Sequence, residues 1–342
     1  FPIYGMDVEY MSAEYLDRIG LVLGWCKELG MRAWIYDELN WPSGTAAGRV
    51  PRNHPNAVAA QIHLEDYPEA SASQVQALLE DEAVRLVVEV EPSGSCKVIG
   101  KGGPLPSGAR HVRAFRRKRD ETANITVRGC LWTRNEPGCL DILSREAVRA
   151  FIDEAYEPIA RAFPGDLGGV IKGFFTDEPQ FAPGALPWTD GFEELFQARF
   201  GYDIVPHLHE LVFDAPGCER ARIDYWSLIA GLTASNFTGQ LAEWCGAHNM
   251  ALTGHMVYEE NSYSVWWQGD TPSHLLEMQV PGCDLLYLYT SFDDPKSWYE
   301  FGGKSLIKTP KNPASAARFT GRKRVMCEAY GVVPWWKTAA DE

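Results

Sequence analysis

Two short segments hold the residues best suited to chemistry. One is Trp34-Ile35-Tyr36-Asp37-Glu38 and the other is Gly173-Phe174-Phe175-Thr176-Asp177-Glu178-Pro179. Each is a run of β-branched, aromatic or small residues that stops at Asp-Glu. An ionised carboxylate is costly to bury unpaired, so these acids belong where a strand ends and a loop begins. In α/β proteins the carboxyl ends of parallel strands are where ligands bind. The run Lys323 to Glu328 also ends in a carboxylate, and Ala251 to Glu260 ends in two. Four acid-tipped strands predict carboxylate chemistry in a cleft.

Glu178 leads the candidates, because Pro179 forbids further strand pairing just beyond it. Glu328 is a suitable partner: a separation of 328 − 178 = 150 residues puts the two on different strands. Two carboxyl groups across a scissile bond, one protonated and one a base or nucleophile, are the machinery of glycoside hydrolysis. Differing surroundings would split their pKa values. The plainer alternative is that each glutamate only satisfies loop amides. Glu259 and Glu260 are adjacent, so on a strand only one of them faces the mouth. Asp37, Glu38 and Glu259 suit sugar hydroxyls or Ca²⁺, which takes several oxygen ligands, and suit loop amides equally well. His255, in Thr253-Gly254-His255, is placed to orient a carboxylate or bind a hydroxyl. His207 and His209 look like a metal pair, but they lie away from any strand end and read better as surface residues. No Gly-x-Ser-x-Gly elbow points to acyl chemistry.

Tryptophan is the second sign. Of twelve, Trp41, Trp188, Trp266, Trp267, Trp335 and Trp336 fall in predicted loops after strands. Large rings with a polar N–H suit a pocket rim and the apolar faces of sugars. Trp25, Trp226 and Trp244 sit in predicted helices and read as core.

These residues need elements to position them. Apolar periodicity and caps predict helices over 12–30, 144–163 and about 221–248, with shorter ones over 191–200, 274–278 and 313–320. Strands are predicted at 32–37, 170–176, 250–257, 283–289 and 323–327. Between 52 and 140 the rhythm changes to short strands (62–65, 84–91, 95–100, 111–116, 124–132) separated by Pro, Gly and Ser turns. Alternating helices and strands predict a right-handed parallel sheet. No Gly-x-Gly-x-x-Gly follows any strand, so a (β/α)8 barrel of TIM type is favoured over a dinucleotide-binding sheet. With only five barrel strands, the barrel is expected to be incomplete in this chain. Its first part is 1–51, a β-rich insertion occupies 52–140, and the remainder is 141–342.

Bulk properties narrow the function further. The 342 residues suffice for one large α/β domain or two average ones. A net charge of −14 argues against nucleic acid. The one basic run, Arg113 to Arg119, reads as a solvated strand edge. No run reaches the length of a membrane span, so no membrane partner is expected. The dispersed cysteines form no Cys-x-x-Cys pair and read as mostly buried thiols.

Several of these motifs resemble a known family. Tyr36-Asp37-Glu38-Leu39-Asn40-Trp41-Pro42-Ser43-Gly44 is similar to a run in bacterial proteins related to glycoside hydrolase family 106, the α-L-rhamnosidases. Gly173 to Pro179, Pro187-Trp188-Thr189 with Phe200-Gly201-Tyr202-Asp203, Leu252-Thr253-Gly254-His255 with Glu259, and Val280 to Asp284 resemble that group in the same order. The resemblance implies a (β/α)8 catalytic barrel with flanking domains of a longer chain. It also implies a carbohydrate substrate, inversion of configuration and Ca²⁺ near the sugar. Glu178, Glu259 and Glu328 are the positions matched, in that order, to the acid and base. Glu178 is assigned as general acid and Glu328 as base or nucleophile. Asp37, Glu38, Asp177, Glu259 and His255 would grip the sugar or the ion, and Trp41, Trp188, Trp266 and Trp335 would line the pocket. The alternative is a barrel that binds carbohydrate without catalysis.

Overall fold

The computed structural model describes residues 7–103, 108–121, 138–181, 184–259, 264–287 and 308–332. In chain order the strands are β1 (Ala33–Tyr36), β2 (Ala60–Ala70), β3 (Val84–Val90), β4 (Cys96–Val98), β5 (Arg110–Arg119), β6 (Ile171–Asp177), β7 (Leu186–Trp188), β8 (Ala251–His255), β9 (Val280–Tyr287) and β10 (Met326–Val332). They make two five-stranded sheets, ordered β1-β6-β8-β9-β10 and β4-β3-β5-β2-β7. The chain divides into two compact units, one of residues 1–57, 123–181 and 230–342, the other of 58–122 and 182–229.

The first unit holds the sheet β1-β6-β8-β9-β10, parallel at every pairing and curled into a half-barrel. All five strands expected for the barrel are present in it. β9 starts at Val280, three residues earlier than expected, and β10 runs on to Val332. The strands approach so closely that a Cβ on Gly173 would strike the Ala251 carbonyl and the Trp34 ring. At Gly254, φ is +148° and a Cβ would meet the Thr176 carbonyl. Glycine is required at both for steric reasons.

Helices cover the sheet where periodicity places them. The first, Ala13–Glu28, is capped by Ser12, whose Oγ accepts from the Tyr15 amide at 3.2 Å. Ser144 caps the helix Arg145–Phe151 in the same way through the Ala147 amide. The predicted helix 144–163 contains a π turn at Ile152–Tyr156, and the predicted 221–248 helix contains another at Thr233–Gly239. Beneath them an aromatic cluster packs on β6: Tyr156 stacks on Phe174 at 4.1 Å, and Trp244 meets both edge-on. Trp244 is thus core, as expected. Trp25 is not: it lies on the outward face of its helix, 58% exposed.

The second unit is built on the antiparallel sheet. Four of the predicted short strands correspond to β2, β3, β4 and β5, with β4 shorter at both ends than the expected 95–100, while 124–132 lies outside the described residues. The helix Ala72–Glu80, not anticipated, starts at a capping box of Ser71 and Gln74. Its Val75, Leu78 and Leu79 pack with Val84, Val87 and Val112. The basic run lies on β5 and is matched to carboxylates: Arg113 to Asp66, Arg116 to Glu65 and Asp81, Arg117 and Arg119 to Asp190. It is therefore a paired strand face. Trp188, expected in a loop, ends β7 opposite Ala60 of β2.

Candidate active site

At the end of β1, Asp37 and Glu38 turn inward and are almost fully buried. Glu38 is enclosed by its own loop. Oε2 accepts from the amides of Gly44, Thr45 and Ala46 and from Thr45 Oγ1, and Oε1 from the amides of Leu39 and Ala47. Ala46 and Ala47 both take positive φ, at 50° and 57°, so that their amides can converge. This is an anion-binding nest whose anion is part of the chain. Burial pushes Glu38 up to about 7 against the opposing pull of these amides. With both oxygens saturated by donors, the loop is built around the carboxylate form.

Asp37 is held just as fully. Oδ1 accepts from Ser43 Oγ at 2.6 Å and Oδ2 from Tyr156 OH at 2.7 Å, while its carbonyl accepts from Tyr10 OH at 2.9 Å. Burial pushes its carboxyl up to about 7, although Ser43 and Tyr156 favour the charged form.

The end of β6 is arranged differently. The Asp177 amide donates to Ser43 Oγ at 2.8 Å, and its carbonyl accepts from the Ser43 amide at 2.7 Å. Asp177 Oδ2 accepts from Tyr36 OH at 2.5 Å. Its Oδ1 lies 3.3 Å from His255 Nε2, which also donates to Glu328 Oε2 at 2.8 Å. Both partners are acceptors, so Nε2 must carry a proton. Burial alone would lower the His255 pKa. The bond to Glu328 and the charges of Asp177, Glu259 and Glu178 outweigh it and hold the ring at about 10. Asp177 is itself raised by burial, opposed by His255 and Tyr36.

Glu178 comes next at φ +47°, its amide donating to the His255 carbonyl at 3.2 Å. A left-handed non-glycine residue is uncommon and costs on the order of 1 kcal/mol, so the surroundings must hold it. Glu259, 2% exposed, accepts from the Asp284 amide through Oε1. Burial pushes it up to about 8. Among the described residues, Glu259 Oε2 and His255 Nδ1 have no hydrogen-bond partner.

Two sets of donors therefore meet on one imidazole. Asp177, His255 and Glu328 form one, and Glu178, His255 and Asp284 the other, each with ligand atoms within 4.8 Å of one another. A rim dominated by carboxylate oxygen, with an orphaned Glu259 oxygen nearby, fits a hard cation such as Ca²⁺. An imidazole nitrogen is the least suited member for that ion.

The sequence candidates thus separate. Asp177, Glu178, His255, Glu259 and Glu328 come together around β6, β8 and β10. Asp37 and Glu38 lie one strand away with their oxygens turned into the protein. Trp41 (39% exposed) and Trp266 (54% exposed, on the short helix Val265–Gln268) present surface. Trp188 belongs to the second unit, buried and packed on Phe192 at 4.3 Å. Trp335 and Trp336 lie outside the described residues. His207 bonds Glu210 and makes no metal pair with His209. Sequence reasoning did not assign roles to Tyr36, Ser43 and Asp284. Each lies inside a motif it had singled out, and position beside the acids was the available signal.

Parallel strands whose carboxyl ends gather acids define an α/β half-barrel with a carboxylate-lined rim. The family model for α-L-rhamnosidase, glycoside hydrolase family 106, matches residues 136–337, more than half of the chain, and the chain belongs to that family. Its fold is similar to that of a rhamnosidase from Novosphingobium sp. PP1Y, with a TM-score of 0.51 and 22% identity over 73% of this chain. The chain spans 23% of that rhamnosidase's length. No curated protein matches it.

Proposed function

We propose that this chain carries the catalytic half-barrel of an α-L-rhamnosidase-type glycoside hydrolase, acting on an oligosaccharide or polysaccharide. In this reading, further strands complete a (β/α)8 barrel around it. One observation carries the proposal: Asp177, Glu178 and His255 at the ends of β6 and β8 meet Asp284 and Glu328, which lie within the neighbouring strands β9 and β10. Glu178 is the general acid and Glu328 the base or nucleophile. His255 donates to Glu328 Oε2 and fixes the orientation of that carboxylate. Glu259, held protonated by burial up to about 8, is the competing acid. Trp41 and Trp266 offer rings for the apolar faces of a sugar. A Ca²⁺ ion would be held by Asp284 and by Glu259 in its deprotonated form, leaving Glu178 to carry the proton, and when bound it would supply a Lewis acid for sugar hydroxyls.

The test is Glu178→Gln in the intact protein, assayed on a panel of aryl glycosides, α-L-rhamnoside first, with and without a chelator. Removing a general acid is expected to lower kcat by roughly 10²–10⁴-fold. Circular dichroism should stay unchanged. Turnover like the wild type would sink the assignment. A wild type that binds the sugar without cleaving it would instead identify a carbohydrate-binding barrel.

A further inference from the structure

The end of β6 is gripped through Asp177 by two residues of the neighbouring strand β1 and its loop, Tyr36 and Ser43. Ser43 holds the Asp177 main chain on both sides, accepting from its amide at 2.8 Å and donating to its carbonyl at 2.7 Å. Tyr36 OH holds the Asp177 side chain at 2.5 Å. Ser43 Oγ has one proton, and it goes to Asp37 Oδ1 at 2.6 Å, so Asp37 fixes the lone pair that receives the Asp177 amide. Asp37 is in turn fixed by Tyr156. One residue beyond this grip, Glu178 sits at φ +47° with its amide on the His255 carbonyl. Such a conformation persists only where its neighbours over-determine it.

We propose that Ser43 and Tyr36 are positioning residues that hold the strand end Asp177–Glu178 in the geometry needed for proton transfer by Glu178. The proposal rests on the glycosidase reading above. It gives the buried Asp37 a function: Asp37 and the Glu38-closed loop are the mount, and Ser43 is the point where the mount meets β6. Uncaught at Ser43, the Asp177 amide is a buried donor without a partner, and the strand end must move to satisfy it. A shift of about 1 Å at a catalytic group can cost on the order of 10²-fold in rate.

Two variants in the intact protein test this, Ser43→Ala and Tyr36→Phe, with two readouts. On the best aryl glycoside, each is expected to lower kcat by at least ~10-fold while KM stays within about 2-fold, the signature of an interaction that matters in the transition state. In deuterium exchange, Ser43→Ala is expected to speed exchange at the peptide carrying Asp177 and Glu178 and to leave the second unit unchanged. Wild-type kcat in both variants overturns the proposal. So does a loss of rate no larger than the fraction of unfolded protein. If Ser43→Ala does not fold, Tyr36→Phe, which removes a single hydroxyl from a partly buried ring, decides alone. If the wild type cleaves no glycoside in the panel, the functional reading is what fails, and unchanged exchange at Asp177 is then the result that overturns the grip.

Discussion

The ends of β1 and β6 carry the same Asp-Glu dipeptide on neighbouring parallel strands, and their fates are opposite. At β1 both carboxylates turn into the protein, and six donors close on Glu38 alone. At β6 the acids are shared with an imidazole and with carboxylates from β9 and β10. The loops that succeed the two dipeptides make the difference. After Glu38 the loop Leu39 to Gly48 supplies small residues whose amides can wrap a carboxylate. After Glu178, Pro179 has no amide to give, and the acids of this strand end meet side chains from β8, β9 and β10. A strand-end carboxylate wrapped by its own loop becomes structure, and one shared with side chains of neighbouring strands is placed for chemistry.

This contrast can be broken by experiment, most strongly at Glu38. Glu38→Ala strips the acceptor from a ring of buried amides, and unmade buried hydrogen bonds cost about 1–3 kcal/mol each. We expect a loss of at least about 3 kcal/mol in urea unfolding, whereas Glu178→Gln should stay within about 1 kcal/mol of the wild type. Similar losses from both would erase the distinction between mount and site.

A smaller effect is expected at Glu259. Its native pKa of about 8 stands above the usual carboxyl value near 4.5. The native state therefore binds the proton more tightly than the unfolded chain, and stability must fall as pH rises from about 4.5 to about 8. Measured in chelator, the thermal midpoint of the wild type should decline across that window relative to Glu259→Gln. Parallel curves would show that Glu259 titrates normally and belongs with the exposed acids.

The smallest effect is expected at Tyr10. Tyr10→Phe removes one buried hydrogen bond, to the Asp37 carbonyl, and should cost about 1 kcal/mol. It should leave kcat untouched, because it lies behind the mount and away from Asp177. A drop in kcat without loss of stability would extend the positioning network to Tyr10.

Much of the half-barrel was legible from local pattern. Strand runs 32–37 and 170–176 and the serine-capped helix starts at Ser12 and Ser144 arise from periodicity and capping, which act within a few residues. The π turns at 152–156 and 233–239 were not legible, because their sequences read as ordinary helix. Trp188 was misplaced for a related reason: the three residues of β7 are strand only because β2 pairs with them. Trp25 looked like core because its helix is apolar on more than one face, and a sequence does not state which face meets the sheet.

At the site, the sequence by itself determined which residues could do chemistry and placed Asp177 and Glu178 at a strand end, whereas Glu328, expected to tip its strand, lies inside β10. The tertiary structure alone decided which of them meet. His255 joins Asp177 to Glu328 across 73 residues of chain, and Ser43 reaches Asp177 across 134. Those contacts depend on the order of strands in the sheet, which no local pattern encodes. The loop Leu39 to Gly48, closing on Glu38 and carrying Ser43 to the Asp177 amide, turned Asp37 and Glu38 from candidate ligands into the support on which the Asp177–Glu178 strand end rests.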